Sequence, residues 1–180
     1  MANVFVFLID GFEEIEALAT VDVLRRAQLA VQTVSLTGNR QVAGGHGVAV
    51  QADVLFEEAD FGAAHMLVVP GGTVKYAEHE GLKQRLLAFA QQGGKVAAIC
   101  ASPAVLGSVG LLQGKNATCY PGFEQFLTGA HLQTDRAVVV DGLVTTGRGP
   151  GLTLDFALAL VEQLAGKAKR DEVARGLLLA

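Results

Sequence analysis

The residue of this sequence best placed to act as a nucleophile is Cys100, which directly follows the apolar run Lys95–Ile99. Small and β-branched apolar residues of this kind are typical of a strand that is covered on both faces. Ser102 and Pro103 then favour a helix start, with serine as the N-cap and proline at the first helical position. The pattern predicts a sharp strand-to-helix turn like the G-x-S-x-G nucleophile elbow, with sulfur in place of oxygen.

A thiol at the start of a helix has unusual chemistry. The free N–H groups and the positive end of the helix dipole favour a thiolate, so we expect Cys100 to ionise more readily than an ordinary cysteine. Such a thiol could attack a carbonyl carbon or be oxidised. The alternative interpretation is a small core hydrophobe, since unpaired cysteine is among the most buried residue types.

Backbone donors are expected beside the sulfur. Gly71 and Gly72 follow a predicted strand at residues 66–69, and glycines there allow a tight turn whose N–H groups can face an anion. With the N–H of Ala101 they could form an oxyanion site. The alternative is an ordinary turn, in which the glycines only allow the backbone conformation and bind no ligand.

Three acids begin the first predicted helix. For Glu13 and Glu14 we favour stabilisation of the helix dipole. Glu16 lies on a stripe of small, half-buried residues, where a carboxyl group needs a partner. If that partner is Cys100, the pair should share one proton, with Glu16 more readily protonated and the thiol more readily ionised. A protonated Glu16 could then donate to the thiolate or to a substrate oxygen.

Other polar residues are weaker candidates. The loop at residues 146–151 resembles an anion-binding turn in which Arg148 could hold a carboxylate, although a rigid strand-to-helix turn explains it equally simply. Cys119 is expected in the core, and Tyr120 could line the pocket or merely cover it. None of the four histidines lies in a segment that obviously returns to Cys100, so a Cys-His protease dyad is unsupported.

Composition bounds these possibilities. The 180 residues are 51% hydrophobic, which suits one compact domain over residues 1–180. The formal charge is −4 with dispersed basic residues, so we expect no nucleic-acid or anionic-lipid partner. The two cysteines form no disulfide framework, and no CxxC or HExxH spacing predicts a metal site. A reducing, cytoplasmic location is the simplest interpretation, because no apolar run approaches the roughly 20 residues of a membrane span and the first apolar segment lacks a signal-peptide pattern.

The elements that must position these residues alternate between strands and helices. Predicted strands cover residues 4–9, 31–36, 66–69 and 95–99, with a candidate strand at 117–119, and hairpins are expected around 38–50 and around Asp141-Gly142. Predicted helices cover residues 13–27, 81–92, 102–109, 152–165 and 169–178, with a short turn or helix at 56–61. This order implies an α/β fold with a mostly parallel sheet. Ligands bind such sheets at the carboxyl ends of the strands, so we expect the loops at 10–16, 70–73 and 100–102 to converge.

Four motifs occur in order along the chain: D-G-F-E-E-I-E at residues 10–16, V-P-G-G at 69–72, A-A-I-C-A-S-P at 97–103 and R-G-P-G at 148–151. Together they resemble the ThiJ/PfpI superfamily, and most of all its branch of the parkinsonism-associated protein deglycase and bacterial relatives. The resemblance covers essentially the whole chain. It implies a flavodoxin-like three-layer sandwich that forms a homodimer with the pocket near the interface.

The resemblance also implies roles for individual residues. Cys100 would be the nucleophilic, oxidation-prone cysteine, Glu16 the carboxyl hydrogen-bonded to it, and Gly72 and Ala101 the backbone donors. The remaining candidates for the pocket are Gly71, Tyr120, Arg148, Asp22 and Arg26. Some members have a histidine where this chain has Tyr120, and a phenol is a poor base near neutral pH. Either Glu16 manages both proton transfers or turnover is slow.

The activity implied is glutathione-independent glyoxalase or deglycase chemistry on a small aldehyde or a glycated adduct, with no metal or organic cofactor. The first alternative is a redox sensor or chaperone-like stress protein that works through oxidation of Cys100. The second is a cysteine peptidase or amidase, which we rank last because no histidine is placed by a motif.

Overall fold

The structure is a computed structural model that describes residues 2–179. Its strands are β1 (Asn3–Leu8), β2 (Ala30–Ser35), β3 (Gln41–Ala43), β4 (Ala49–Gln51), β5 (Val54–Leu55), β6 (Met66–Val69), β7 (Lys95–Ile99), β8 (Asn116–Ala117), β9 (His131–Leu132), β10 (Val138–Asp141) and β11 (Val144–Gly147). Its helices are α1 (Glu14–Arg26), α2 (Lys75–Glu78), α3 (Glu80–Gln91), α4 (Pro103–Ser108) and α5 (Thr153–Gly176). None of the helices within residues 2–179 has the length and apolar character needed to cross a membrane.

Seven strands form the central sheet, in the order β10-β11-β7-β6-β1-β2-β5. All neighbours are parallel except β10 and β11, which form the predicted hairpin around Gly142. The chain passes from β1 through α1 to β2 on one side, and then returns to the other side of β1 for β6 and β7. The winding direction therefore reverses between β1 and β6, where an open α/β sheet forms its ligand crevice.

Alternate residues of the central strands face opposite layers of helices. One core contains Val4, Val6, Met66, Val68, Ala97 and Ile99 with apolar side chains of α1 and α5. The other contains Phe5, Phe7, Leu67, Val69, Val96 and Ala98 with side chains of α3 and α4. Because the strands are covered on both faces, they read as continuous apolar runs in the sequence. The predicted three-layer α/β sandwich with a mostly parallel sheet is confirmed.

Most predicted elements are present, with a few differences. The sequence patterns missed the short strands β5 and β9 and the one-turn helix α2. The candidate strand at 117–119 is wrong in its bounds, because β8 ends at Ala117 and the next N–H, of Thr118, donates to the Thr146 hydroxyl at 2.9 Å. The two predicted C-terminal helices are confirmed: α5 comprises both, and they meet at a kink at Gly166, whose φ of 83° is not helical.

Candidate active site

Cys100 occupies a nucleophile elbow between β7 and α4. Its φ is 67°, in the left-handed region that residues with a side chain seldom adopt. Two hydrogen bonds hold this conformation: the Cys100 N–H donates to the Gly147 carbonyl at 3.0 Å, and the Cys100 carbonyl accepts from the Tyr120 N–H at 2.8 Å. Strained backbone of this kind persists where its surroundings fix it, and it is common at functional sites. The turn presents the thiol above the sheet, as predicted.

Ser102 is the N-cap residue of α4 and is followed by the proline that begins the helix, as predicted. Its backbone is already helical, however, with φ −73° and ψ −18°, and its side chain makes no capping hydrogen bond. The buried Ser102 hydroxyl instead donates to the carbonyl of Pro70. This hydrogen bond supplies a donor to a buried backbone carbonyl on the neighbouring loop, as buried acceptors require. Ser102 thereby fastens the elbow to the loop that follows β6.

Gly71 lets three elements meet around the sulfur. A side-chain Cβ at this position would overlap with the Glu16 carboxylate and with Cys100. The Gly71 N–H donates to Oε2 of Glu16 at 2.8 Å, and its carbonyl accepts from the Glu13 N–H at 2.9 Å. The loops that follow β1, β6 and β7 therefore converge, as the sequence predicted. The absence of a side chain at Gly71 makes this approach possible.

Glu16 is fully buried on the first turn of α1. Burial raises the pKa of its carboxyl group to about 7, against the lowering effect of the Cys100 thiol and of the Gly71 N–H. Its second oxygen, Oε1, has no hydrogen-bond partner among the described residues. This oxygen is the natural carrier of a proton, because Oε2 is already occupied as an acceptor. The expectation that Glu16 is unusually easy to protonate agrees with this geometry.

The thiol does not behave as the helix N-terminus alone predicted. Burial, followed by the charge of the Glu16 carboxylate and the hydrogen bond to it, raises the pKa of Cys100 to about 12. The N–H groups of Ala101 and Gly72 act in the opposite direction and favour the thiolate. The predicted low pKa is thus wrong while Glu16 is ionised, because burial and the nearby carboxylate together outweigh two backbone donors. The sulfur becomes anionic when its proton can pass to Glu16.

The half-buried Cys100 side chain opens into a cavity of about 210 Å³, which we call the thiol pocket. Its lining residues are Gly72, Thr73, Val74, Cys100, Ala101, Tyr120 and Phe123. Tyr120 is 45% exposed and forms part of the wall, so it lines the pocket rather than closing it. None of the four histidines of the chain is among the residues described as lining this pocket, which leaves Glu16 as the candidate base beside the sulfur.

Three predicted pocket residues lie elsewhere in the described chain. Asp22 and Arg26 form an ion pair at 2.7 Å on the exposed side of α1, with side chains about half exposed. Arg148 lies near Cys119. Burial and the charge of Glu124 raise the pKa of Cys119 to about 11, and Arg148 opposes that rise. The single chain therefore does not bring Asp22, Arg26 or Arg148 to the thiol pocket.

The two cysteines contact different hydrophobic cores. Cys119 belongs to the core on the side of α3 and α4, whereas Cys100 packs against the core formed with α1 and α5. Both thiols are free. The core location predicted for Cys119 is confirmed.

Glu14 is an anchor that sequence reasoning missed. Its carboxylate accepts from the His46 N–H at 2.6 Å and pairs with the His46 ring at 2.8 Å, and so ties the β3–β4 hairpin to α1. Polar atoms of Glu13, Glu14 and His46 also lie within 4.8 Å of one another, close enough for a metal ion. The hydrogen bonds already made by both carboxylates account for this cluster. The glycines and the histidine at residues 44–47 were the sequence features that could have indicated a hairpin held against α1.

These features define what the site can do. A carboxylate with a pKa near 7 is well matched to act as a base at neutral pH. It lies beside a thiol that needs a proton acceptor, and two backbone N–H groups face the sulfur. The arrangement suits addition of the thiol to a carbonyl carbon, with the N–H groups available to the oxygen that becomes negative.

Comparisons with known proteins agree with this architecture. A profile of the DJ-1/PfpI family matches residues 2–163. The crystal structure of Drosophila melanogaster DJ-1beta superimposes with a TM-score of 0.94 at 36% identity, covering 99% of this chain and 98% of that one. The oxidized structure of Toxoplasma gondii DJ-1 also gives 0.94, at 34% identity, with complete coverage of both chains.

Sequence relatives differ in length. Drosophila protein dj-1beta is 37% identical over 182 residues, covering 99% of this chain and 97% of its own. Protein DJ-1 homolog B of Arabidopsis thaliana is 39% identical over 182 residues and 98% of this chain, but the match spans only 41% of the plant protein. A Caenorhabditis elegans protein named glutathione-independent glyoxalase DJR-1.2 is 31% identical, covering 93% of this chain and 91% of its own.

Proposed function

Because the chain belongs to the DJ-1/PfpI family, we propose that it is a cysteine-dependent enzyme that acts on reactive carbonyls in stress defence. The activity is that of a glutathione-independent glyoxalase or deglycase. The observation that carries the proposal is that Cys100, Gly72 and Ala101 line one pocket, while the buried Glu16 carboxyl lies beside the sulfur behind the pocket wall. The name of the Caenorhabditis elegans relative supports the same reaction class.

The first step forms a bond between Cys100 and the substrate. The sulfur adds to the aldehyde carbon of a 2-oxoaldehyde, and Glu16 accepts the thiol proton as the S–C bond forms. The aldehyde oxygen becomes negative and faces the N–H groups of Gly72 and Ala101. Glu16 then returns the proton to that oxygen, which gives a hemithioacetal and leaves the carboxylate free again.

The second step moves a hydrogen within the adduct. The Glu16 carboxylate removes the proton from the carbon bonded to sulfur, which leaves an enediolate with its charge on the former ketone oxygen. Return of that proton to the neighbouring carbon, with transfer of the hydroxyl proton from the former aldehyde oxygen to the former ketone oxygen, gives a thioester of a 2-hydroxy acid. The former aldehyde carbon is oxidised and the former ketone carbon is reduced, so no external oxidant or reductant is needed. Water then cleaves the S–C bond, which releases lactate when the substrate is methylglyoxal and restores the thiol.

Glu16 has to serve in both steps because Tyr120 stands where some relatives have a histidine. A phenol is mostly protonated near neutral pH and is a poor base there. We therefore expect slower turnover than in an enzyme with a separate base for each step.

The proposal is tested by following lactate from methylglyoxal in the absence of glutathione. The wild-type protein should form it, and Cys100→Ser should abolish formation. Cys119→Ser is the matched control, because it removes the other thiol from the opposite core, and it should retain activity. Equal rates for the wild type and Cys100→Ser would exclude Cys100 as the nucleophile.

A redox-sensing role is the second candidate. The same N–H groups that face the sulfur would also bind a sulfenate or sulfinate, and the Toxoplasma gondii relative has been solved in an oxidized form. One peroxide molecule converts the thiol to sulfenic acid and water, and a second gives sulfinic acid. Intact-protein and peptide mass spectrometry after mild peroxide should place the added oxygens on Cys100. Preferential oxidation of Cys119 would contradict this role.

We further propose that the protein is a homodimer in the cytoplasm. Ile15 is 56% exposed and Leu18 is 36% exposed, and their spacing places both on one face of α1 next to the turn that carries Glu16. The double variant Ile15→Glu with Leu18→Glu should run as a monomer in size-exclusion chromatography with light scattering, whereas the wild type should have twice the chain mass. A monomeric wild type would contradict the dimer. The two free cysteines support a reducing compartment.

A further inference from the structure

A second cavity adjoins the thiol pocket. Its volume is about 200 Å³, and it shares four wall residues with that pocket: Thr73, Val74, Ala101 and Phe123. We call it the apolar annex. Beyond the shared wall it is lined mainly by Ala77, Ala104, Val105 and Phe126. The four shared residues place the annex directly beside the thiol pocket.

The chemistry of the annex is predominantly apolar. Of its two hydroxyl groups, that of Ser102 already donates to the Pro70 carbonyl and that of Thr73 accepts from the Lys75 N–H at 3.3 Å. Its charged lining residue is Glu78, which is exposed. Pockets of this composition bind apolar groups and use few polar atoms for orientation.

Among the residues described as lining either cavity there is no lysine, arginine or histidine. A substrate that carries a carboxylate or phosphate would therefore find no cation among these lining residues and would lie near the carboxylate of Glu78. Leaving an anionic group without a partner in such a site is unfavourable. The lining residues therefore disfavour an anionic substrate and favour an apolar one.

We propose that the apolar annex receives a hydrophobic substituent of the substrate. The preferred substrates are then neutral 2-oxoaldehydes that carry an aryl or branched alkyl group, ahead of methylglyoxal and well ahead of the anion glyoxylate. This inference rests on the proposed function for its substrate class, but the shape and chemistry of the annex can be tested without turnover.

The test uses three alkylating reagents that differ only in the group attached to the reactive carbon. Iodoacetamide is small and neutral, iodoacetanilide carries a phenyl group, and iodoacetate is an anion. In each case the sulfur forms an S–C bond, the C–I bond breaks and iodide leaves, while the thiol proton passes to Glu16 or to the buffer. Peptide-resolved mass spectrometry gives the rate at Cys100, and each rate is divided by that of the same reagent with N-acetylcysteine.

We expect the normalised rate with iodoacetanilide to exceed that with iodoacetamide by about tenfold or more, since apolar pockets discriminate by that order for a few carbons. The rate with iodoacetate should be the lowest. Equal normalised rates for the anilide and the amide would overturn the proposal.

Two variants connect this preference to the annex. Ala104→Leu fills it, and Phe126→Ala removes an exposed part of its wall, so both should reduce the preference for iodoacetanilide to within about threefold of iodoacetamide. The matched control is Ala168→Leu, at an exposed position of α5. A preference that persists in both annex variants would overturn the proposal even if the wild type shows it. Since Phe126 is 48% exposed, its replacement should not prevent folding.

A turnover assay separates this inference from the proposed function. The ratio of kcat/KM for phenylglyoxal to that for methylglyoxal should exceed one in the wild type and fall in Ala104→Leu. If neither aldehyde is converted, the proposed function fails while the alkylation rates still decide on the annex. If methylglyoxal is converted but the alkylation rates show no preference, the annex proposal fails and the function stands.

Discussion

Glu14 and Glu16 lie two residues apart in the first turn of α1, and both are buried. The pKa of Glu14 is nevertheless lowered, whereas that of Glu16 is raised. At Glu14 burial favours the neutral acid, but hydrogen bonds from the ring and N–H of His46 outweigh it and lower the pKa to about 2. At Glu16 burial dominates and the pKa rises to about 7. Identical side chains on one helix turn thus form a permanent anion and a titrating acid.

The difference lies in the donors that each carboxyl group meets. Glu14 faces a hairpin that supplies two N–H groups and an imidazole, so a charge there is satisfied and has a structural role. Glu16 receives one N–H, from Gly71, and faces a thiol that competes for the same proton. A carboxyl group that is incompletely satisfied in a buried site is poised for proton transfer.

The largest expected effect comes from Glu16→Gln. An amide cannot accept the thiol proton, so kcat/KM for methylglyoxal should fall by between about 10² and 10⁴. In the wild type, activity should rise as pH increases through about 7, because the carboxylate is the active base and forms in that range. Steady-state kinetics from pH 5 to 9 measure both effects.

Glu14→Gln is the internal control for that experiment, since it alters the other acid of the same helix turn. It should keep the pH profile of activity. A profile that moves with Glu14→Gln but not with Glu16→Gln would reverse the assignment of the two acids.

Gly71→Ala should produce the next largest effect. The added methyl group overlaps with Glu16 and Cys100, so the two must move apart, and a displacement of about 1 Å at reacting groups costs on the order of 100-fold in rate. Gly151→Ala is the matched control, because no atom lies within 4 Å of its added Cβ. Retention of full activity by Gly71→Ala would mean that close packing around the sulfur is not required.

Glu14→Gln should affect stability. Loss of the charged acceptor should lower the free energy of unfolding by about 1.5–3 kcal/mol at pH 6, as for hydrogen bonds to charged groups. Urea unfolding monitored by circular dichroism measures the change. Glu57→Gln, at an exposed acid in a surface turn, should leave the free energy nearly unchanged. A loss of equal size in both variants would show that the hairpin anchor contributes nothing specific.

The Glu14 contribution also has a defined pH window. Its folded-state pKa of about 2 lies below the ordinary value of 4.5, so its stabilisation is fully present above about pH 4.5 and is lost as pH falls towards 2. Glu14 raises the pKa of His46 above 6.5, so the histidine contribution is present below 6.5 and is lost as pH rises through the raised value. The difference in stability between the wild type and Glu14→Gln should therefore be greatest between about pH 4.5 and 6.5.

The smallest effect is expected from Asp22→Asn, which breaks the exposed ion pair with Arg26 on the same helix. Surface pairs at this spacing contribute about 0.3–0.5 kcal/mol, so thermal unfolding should change little. Arg26→Gln should leave turnover unchanged if that side chain has no contact with the pocket. A large loss of turnover with unchanged stability would indicate that Arg26 reaches the thiol pocket of a partner subunit.

Local patterns predicted the elbow because each of its parts is encoded within a few residues. The residue types of the apolar strand, with Cys100 and Pro103 directly after it, indicate a strand that turns sharply into a helix. The partner of Ser102 and the anchor at Glu14 could not be predicted, because both depend on contacts between segments more than 30 residues apart. The low pKa expected for Cys100 was wrong for the same reason: the burial that does most to raise it comes from segments that are distant in the sequence and pack around the thiol only on folding.

Cys119 is buried in the core, with 5% of its surface exposed, whereas the half-buried Cys100 opens into the thiol pocket. A reagent in solution therefore reaches the sulfur of Cys100 in preference to that of Cys119. A single equivalent of a thiol-reactive dye should accordingly report on the elbow alone.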